Sequence, residues 1–215
     1  MINIDQIKFN SEGLVPVITQ DAVTGEVLMQ AYMNREALEI SLGEMRMCYY
    51  SRSRKCLWRK GGTSGHFQSI TGAYADCDFD SILFRVLQTG AACHTGRHSC
   101  FFNELAEDTF HNYKILFDIA ETVRERKREP KENSYTNYLF YKGTDKICKK
   151  IGEEAAEVII AAKNKDKTEL ANELADLFYH IIVLAENENL DLNDIFSVLF
   201  GREGKPADAK YKGKV

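Results

Sequence analysis

The spacing of the apolar residues changes character near residue 110 of the 215-residue chain. Before that point they come in short runs broken by glycine. This is the pattern of strands, whose side chains point to opposite faces in turn. Leu14 to Thr19 and Val27 to Met33 read as strands flanking a turn at Asp21 to Gly25. Asn34 is placed to cap a short helix running to about Ser41. Met45 to Ser51, Leu57 to Lys60, Phe67 to Ala75 and Ser81 to Leu87 are further strand candidates. After residue 110 the period becomes helical. Leu116, Ile119 and Val123 share one face, and Ile147, Ile151, Val158 and Ile159 mark a long helix from about Thr144 to Lys163. Leu170, Leu174, Leu177, Ile181 and Leu184 mark the next helix, with Asp166 and Glu169 spaced as a capping box, and Asp191 caps a last one. The charged stretch Arg124 to Ser134, which contains Pro130, reads as a linking loop. The expectation is an α+β chain of two domains: β-rich over 1–112 and all-helical over 113–203, followed by a loose polar tail over 204–215.

Charge and hydropathy narrow the functional classes. The net charge is −4 and no long basic run occurs, which argues against a nucleic-acid partner. No apolar stretch approaches the ~20 residues that span a bilayer. Met1 to Asn10 lacks the basic and apolar regions of a signal peptide, so a cytoplasmic location is expected. In that compartment the six cysteines are ligands or buried thiols rather than disulfide partners.

Chemistry concentrates between residues 76 and 100. Asp76, Asp78 and Asp80 alternate with Cys77 and Phe79; if the segment is extended, the carboxylates share one side and Cys77 points to the other. Two carboxylates about 4 Å apart repel by roughly 1 kcal/mol in water and about 4 kcal/mol at a protein-like dielectric. Three together call for a cation or wide exposure, and oxygen ligands suit Mg²⁺. Cys77, Cys93 and Cys100 are soft donors suited to Zn²⁺, and three protein ligands leave the open position of a catalytic site. His94 and His98 are candidate general acid/base groups, or one is a fourth ligand. The alternative is that one or more of these thiols is a buried apolar side chain.

Two further patterns concern phosphate and metal. Ser51, Arg52, Ser53 and Arg54, followed by Trp58, Lys60, Gly61, Thr63, Ser64 and Gly65, combine charge, hydroxyls and approachable backbone. They form either a phosphate-binding stretch or a solvated basic hairpin. In the helical half, Glu153, Glu154 and Glu157 share a broad helix face, and Glu173 and Asp176 lie three apart on the next helix. Antiparallel packing would gather them into a Mg²⁺ site for a triphosphate, with Lys142, Lys149 and Lys150 neutralising phosphate. The alternative is two solvated faces.

Val27 to Asn34, Trp58 to His66, Asp76 to Asp80 and Cys93 to Cys100 together resemble phosphoribosyl-AMP cyclohydrolase, over most of residues 10 to 105. The resemblance implies that Cys77, Cys93 and Cys100 bind zinc, with Cys77 coming from the other chain of a homodimer, and that Asp76, Asp78 and Asp80 bind Mg²⁺. It further implies zinc-hydroxide attack on the purine ring, with His94 relaying protons. One position departs from the family, which usually has Glu where this chain has Gly62. Tyr135 to Phe140, Lys142-Gly143, Lys149 to Glu157 and Asn172 to His180 resemble phosphoribosyl-ATP pyrophosphatase, over about residues 113 to 202. There the resemblance implies Mg²⁺ on Glu153, Glu154, Glu157, Glu173 and Asp176, and cleavage of the α–β phosphate linkage. The expected protein is a bifunctional histidine-biosynthesis hydrolase acting on small phosphoribosyl nucleotides. The competing non-enzymatic reading is a zinc-stabilised dimerisation module joined to a helical interaction domain.

Overall fold

A computed structural model describes residues 3–106 and 112–203. The expected loose tail, 204–215, lies outside the described residues. The chain divides into two compact units, Met1–Lys114 and Ile115–Val215.

The first unit is built on strands β1 (Val15–Asp21) and β2 (Val27–Met33), helix α1 (Arg35–Glu44), and strands β3 (Cys48–Ser51), β4 (Cys56–Arg59), β5 (Gln68–Ala75) and β6 (Ile82–Gln88). Four strands form one sheet in the order β2-β1-β6-β5, and β3 and β4 form a separate hairpin. β1 is antiparallel to β2 and parallel to β6. Alternate residues of β1, Val15, Val17 and Thr19, are fully buried, as the period of two requires. They pack with Leu28, Met33, Phe84 and Val86. Tyr49 crosses this core with its hydroxyl satisfied by Thr19 at 2.8 Å and Gln68 at 2.6 Å, which keeps a buried polar group from costing stability. The Asn34 side chain accepts the Ala37 N–H, capping α1 as expected, but the helix continues past Ser41 to Glu44 and closes on Met45 in the left-handed region.

One expectation about this unit fails. Asp76 to Asp80 is not extended: it is the turn between β5 and β6. Asp76 Oδ1 accepts the backbone N–H groups of Asp80 at 3.0 Å and Ser81 at 3.1 Å. Phe79 takes a positive φ of 66° to allow this. An aspartate that satisfies local N–H groups competes with the sheet ladder, and here it prevails.

The second unit is helical: α2 (Lys114–Arg128), α3 (Tyr135–Lys142), α4 (Thr144–Asn164), α5 (Lys167–Asn187) and α6 (Leu192–Phe200). Arg124 to Arg128 belongs to α2, not to a linker. Arg, Glu and Lys are good helix formers, and the charges have partners. Arg124 pairs with Glu186 at 2.6 Å, and Lys127 Nζ donates to the Glu186 carbonyl at the end of α5, also at 2.6 Å. Helix α3 has no clean apolar period; Ser134 starts it by accepting the Asn137 N–H. Asp166 caps α5 through Thr168 and Glu169 N–H, but its own N–H goes to Ala161, so the reciprocal half of a capping box is replaced by a backbone bond. The core holds Ala120, Val123, Leu139, Ile147, Ile182 and Val183. On α5 the buried face is thus not the leucine stripe, since Leu174 and Ile181 remain exposed beside Phe178.

Candidate active sites

The first site lies where the β4–β5 loop meets the loop after β6. Lys60, Gly61, His66, Cys93, His94 and Cys100 are among the residues lining a cavity of about 450 Å³. The Cys100 N–H is tied to the Leu28 carbonyl at 2.7 Å, and the Cys93 N–H to the Arg97 carbonyl at 3.0 Å, so β2 and a tight turn fix the two thiols. Thr95 Oγ1 donates to Cys93 Sγ at 3.1 Å. That hydrogen bond pulls the Cys93 thiol below its ordinary pKa. Cys100 moves the opposite way, chiefly through burial and then through its hydrogen bond to Cys93. The pair is therefore asymmetric, one sulfur readier to be a thiolate.

Lys60 is buried, with Nζ donating to the Ala92 carbonyl at 2.6 Å. Burial lowers its pKa, while the two thiols work against that shift. It braces the loop carrying Cys93 and is not an exposed loop cation. His94 Nδ1 is 4.0 Å from Cys93 Sγ. His98 does not line the cavity, and its Nε2 is 3.8 Å from the Asp21 carboxylate. Cys77 is exposed in the β5–β6 turn and does not line the cavity either. A soft pair of thiols with an adjacent imidazole fits Zn²⁺, though one chain brings together two of the three expected sulfurs.

The expected phosphate stretch is split. Thr63, Ser64, Trp58 and Gly61 line the thiol cavity, whereas Arg52 and Ser53 line a separate cleft of about 730 Å³ with Glu12 and Tyr50. Ser51 Oγ accepts from the Arg54 N–H, and the Arg52 guanidinium sits 4.0 Å from the centre of the Tyr32 ring. Gly65 closes the loop at the other end, its N–H on the Gly61 carbonyl. Gly62 is exposed, and a Cβ there would come no closer than 3.4 Å to the Arg59 carbonyl, so the backbone does not demand glycine.

Asp76, Asp78 and Asp80 do converge, with one oxygen from each within 4.8 Å of the others. The turn, not strand alternation, gathers them. Desolvation works upward on Asp76, but the N–H groups of Ser81 and Asp80 outweigh it and hold its carboxyl below the usual range. Asp80 is pushed up, first by the charge of Asp78. A hard cation would relieve that repulsion.

The second site lies between α4 and α5, which run antiparallel: Glu154 faces His180 and Glu157 faces Glu173. Oxygens of Glu154, Glu157 and Glu173 lie within 4.8 Å of one another. Partial burial, with Glu157 and Glu169 adjacent, pushes Glu173 up to about 7. Glu154 is buried and held below its usual range by Lys150, whose Nζ is 2.7 Å away. Two of the five expected acids stand apart from this trio. Glu153 pairs with Lys150 at 3.1 Å and Lys149 at 3.5 Å, and Asp176 is exposed, with its carbonyl 2.8 Å from His180 Nδ1. Lys149 and Lys150 therefore neutralise carboxylates here, and Lys142 lies 5.6 Å from the Tyr141 ring. Three oxygens of this kind fit Mg²⁺.

His180 had no role in the sequence reading. A carbonyl at 2.8 Å can only accept, so Nδ1 carries the proton, and in the neutral ring Nε2 accepts from the Tyr135 hydroxyl at 3.1 Å. The signal was its spacing, seven residues after Glu173 and so on the same helix face. His66 was passed over too, within a loop read for its glycines and cations.

Comparison with known proteins gives the two halves separate matches. A family model described as phosphoribosyl-AMP cyclohydrolase matches residues 29–102, and one described as phosphoribosyl-ATP pyrophosphohydrolase matches residues 116–202. A relative from Caldanaerobacter subterraneus subsp. tengcongensis, named histidine biosynthesis bifunctional protein HisIE, is 48% identical over 95% of this chain and 100% of its own length. The protein of the same name from Bacillus subtilis is 47% identical over 95% of this chain and 99% of its own length. The chain belongs to the family of bifunctional histidine-biosynthesis enzymes that join a phosphoribosyl-AMP cyclohydrolase to a phosphoribosyl-ATP pyrophosphohydrolase.

Proposed function

We propose that the two sites perform consecutive hydrolyses: the α4–α5 carboxylates serve pyrophosphate release from phosphoribosyl-ATP, and the thiol cavity serves ring opening of the phosphoribosyl-AMP so formed. The observation that carries this assignment is the division of donors. Soft sulfurs with an imidazole line a cavity in the half matched by the cyclohydrolase, and hard carboxylates converge in the half matched by the pyrophosphohydrolase. When bound, Zn²⁺ at the thiols supplies a Lewis acid that brings the pKa of water toward about 7, and Mg²⁺ at the carboxylates orients and neutralises phosphate oxygens.

The residues of the chain do the rest. Cys93 and Cys100 hold the soft ion, with Thr95 favouring the thiolate of Cys93. His94, next to Cys93, takes the proton of the attacking water, and His98, engaged with Asp21, does not. Attack falls on a ring carbon made electrophilic by ribosylation of the neighbouring nitrogen. Thr63 and Ser64, which line the cavity, together with the Arg52 cleft, bind the substrate phosphates. Asp76, Asp78 and Asp80 hold a second hard cation. Glu154, Glu157 and Glu173 hold the Mg²⁺ of the helical site, with Lys150 fixing Glu154 and His180 fixed by Tyr135.

The third sulfur, Cys77, comes from the second subunit of a homodimer. Its exposure, its separation from the thiol cavity and the uncovered Phe178, Ile159 and Ile160 of the helical unit support that reading. Among the described residues no helix is long and apolar enough to cross a membrane, in keeping with a cytoplasmic enzyme.

Two variants test the division. Cys93→Ala abolishes ring opening and leaves pyrophosphate release intact, and Glu154→Gln does the reverse when ring opening is assayed on phosphoribosyl-AMP. If either variant stops both reactions, the assignment of two sites fails.

A further inference from the structure

We propose that His66 is a catalytic residue of the thiol cavity, the acid that protonates the purine nitrogen as its bond to carbon breaks. The proposal rests on the assignment of that cavity to ring opening. Its basis is the way two glycines make a seat for this residue. At Gly61, with φ +82°, an added Cβ would lie 2.8 Å from the His66 carbonyl carbon and oxygen. At Gly90, with φ +66°, it would lie 2.6 Å from Cδ2 and 3.0 Å from Nε2 of the His66 ring. One glycine admits the backbone of His66 and the other admits its imidazole. The Ser64 hydroxyl accepts the His66 N–H at 3.2 Å, and Phe67 follows with its N–H on the Gly65 carbonyl. The residue is half-buried and lines the cavity together with Cys93, His94 and Cys100.

Packing alone, among the described residues, holds the side chain. Among the described residues, neither ring nitrogen of His66 makes a hydrogen bond or ion pair. His98 is engaged with Asp21 outside the cavity, and His94 stands against the sulfur of Cys93. Of these three imidazoles, His66 alone lines the cavity with both nitrogens uncommitted.

Two of the proton transfers in ring opening need a side chain: one from the attacking water and one to the leaving nitrogen. A carbon–oxygen bond forms as water attacks, and one water proton passes to a base. The exocyclic nitrogen takes up a proton in exchange for the one given to the base. The carbon–nitrogen bond then breaks as the new hydroxyl loses its proton to solvent and becomes the carbonyl. The electron pair of the broken bond stays on the ring nitrogen, which must gain a proton because an expelled nitrogen anion is too basic to leave unaided. An imidazolium gives that proton and recovers one from solvent, so the net consumption is one water. His94 is placed for the first transfer by its nearness to the thiols. His66, on a separate loop with free nitrogens, is placed for the second.

The test uses the full-length zinc-loaded enzyme with phosphoribosyl-AMP as substrate. His66→Ala lowers kcat for ring opening about 100-fold or more, within the range of general acid catalysis. Zinc content and pyrophosphate release from phosphoribosyl-ATP stay at wild-type levels, and added imidazole restores part of the lost rate. His66→Gln, which refills the seat but carries no transferable proton, shares the loss. A rate within about threefold of wild type, a loss accompanied by loss of zinc, a loss untouched by imidazole, or recovery of the rate in His66→Gln would each overturn the proposal. Cys93→Ala run in parallel keeps the two ideas apart: if it retains ring opening, the assignment of the cavity fails irrespective of His66.

Discussion

Glu173 illustrates how one side chain couples stability to pH. Its ordinary pKa of 4.5 applies in the unfolded chain, and folding raises it to about 7 through partial burial beside Glu157 and Glu169. Between those values the folded form holds the extra proton. Stability therefore falls as pH rises through that window, and the cost is fully present above it. Glu173→Gln removes the cost. With divalent ions chelated, its unfolding midpoint should exceed that of wild type at about pH 8, and the advantage should vanish at about pH 4. Adding Mg²⁺ at the higher pH should narrow the gap, because the cation stabilises only the chain that binds it well. A gap independent of pH would remove Glu173 from the cluster. Its spacing with Asp176 and the family resemblance suggested this acid as a ligand; its elevated pKa depends on burial and on neighbours from two helices, Glu157 on α4 and Glu169 on α5, which no local pattern carries.

At the level of elements, the turn from Asp76 to Ser81 separates what the sequence revealed from what it hid. The three carboxylates were legible as a cluster, and they do converge. The strand alternation invoked for them was wrong, because Asp76 spends one oxygen on the N–H groups of Asp80 and Ser81. Asp76→Ala should therefore lower the unfolding midpoint of the first unit even without a cation, whereas Asp78→Ala should not, since it removes a charge that repels Asp80. Asp76→Asn keeps the accepting oxygen, so it should spare stability while weakening cation binding. Equal midpoints for the alanine variants would deny the turn its structural role. The caps of α1, α5 and α6 were readable because one side chain does the work within three residues. Asp166→Ala should cost the helical unit about 1 kcal/mol in denaturant unfolding; no change would mean that the backbone bond to Ala161 suffices. The end of α2 was not readable, because its charges are satisfied by Glu186 and the terminus of α5, some sixty residues later. The leucine stripe of α5 located the helix but not its buried face, because periodicity identifies an apolar face but not what covers it.

For the molecule as a whole, joining the two units gives one chain both the supply and the use of a single nucleotide. The division at the change of periodicity was visible in the sequence, as was the chemistry of each half. The meeting of Lys60 with Ala92, the withdrawal of His98 to Asp21 and the seating of His66 between two glycines depend on loop closure across the fold. Gly62 is the position where the loop departs from the expected pattern. Its backbone accepts a side chain, so the glycine is not a demand of the loop. The most direct measurement supplies phosphoribosyl-ATP to the purified full-length enzyme with Mg²⁺ and Zn²⁺ and follows pyrophosphate and the ring-opened product together. Both should appear, pyrophosphate first, with phosphoribosyl-AMP rising only transiently. Release of pyrophosphate with phosphoribosyl-AMP accumulating unopened would contradict the account and point to the loop that carries Gly62.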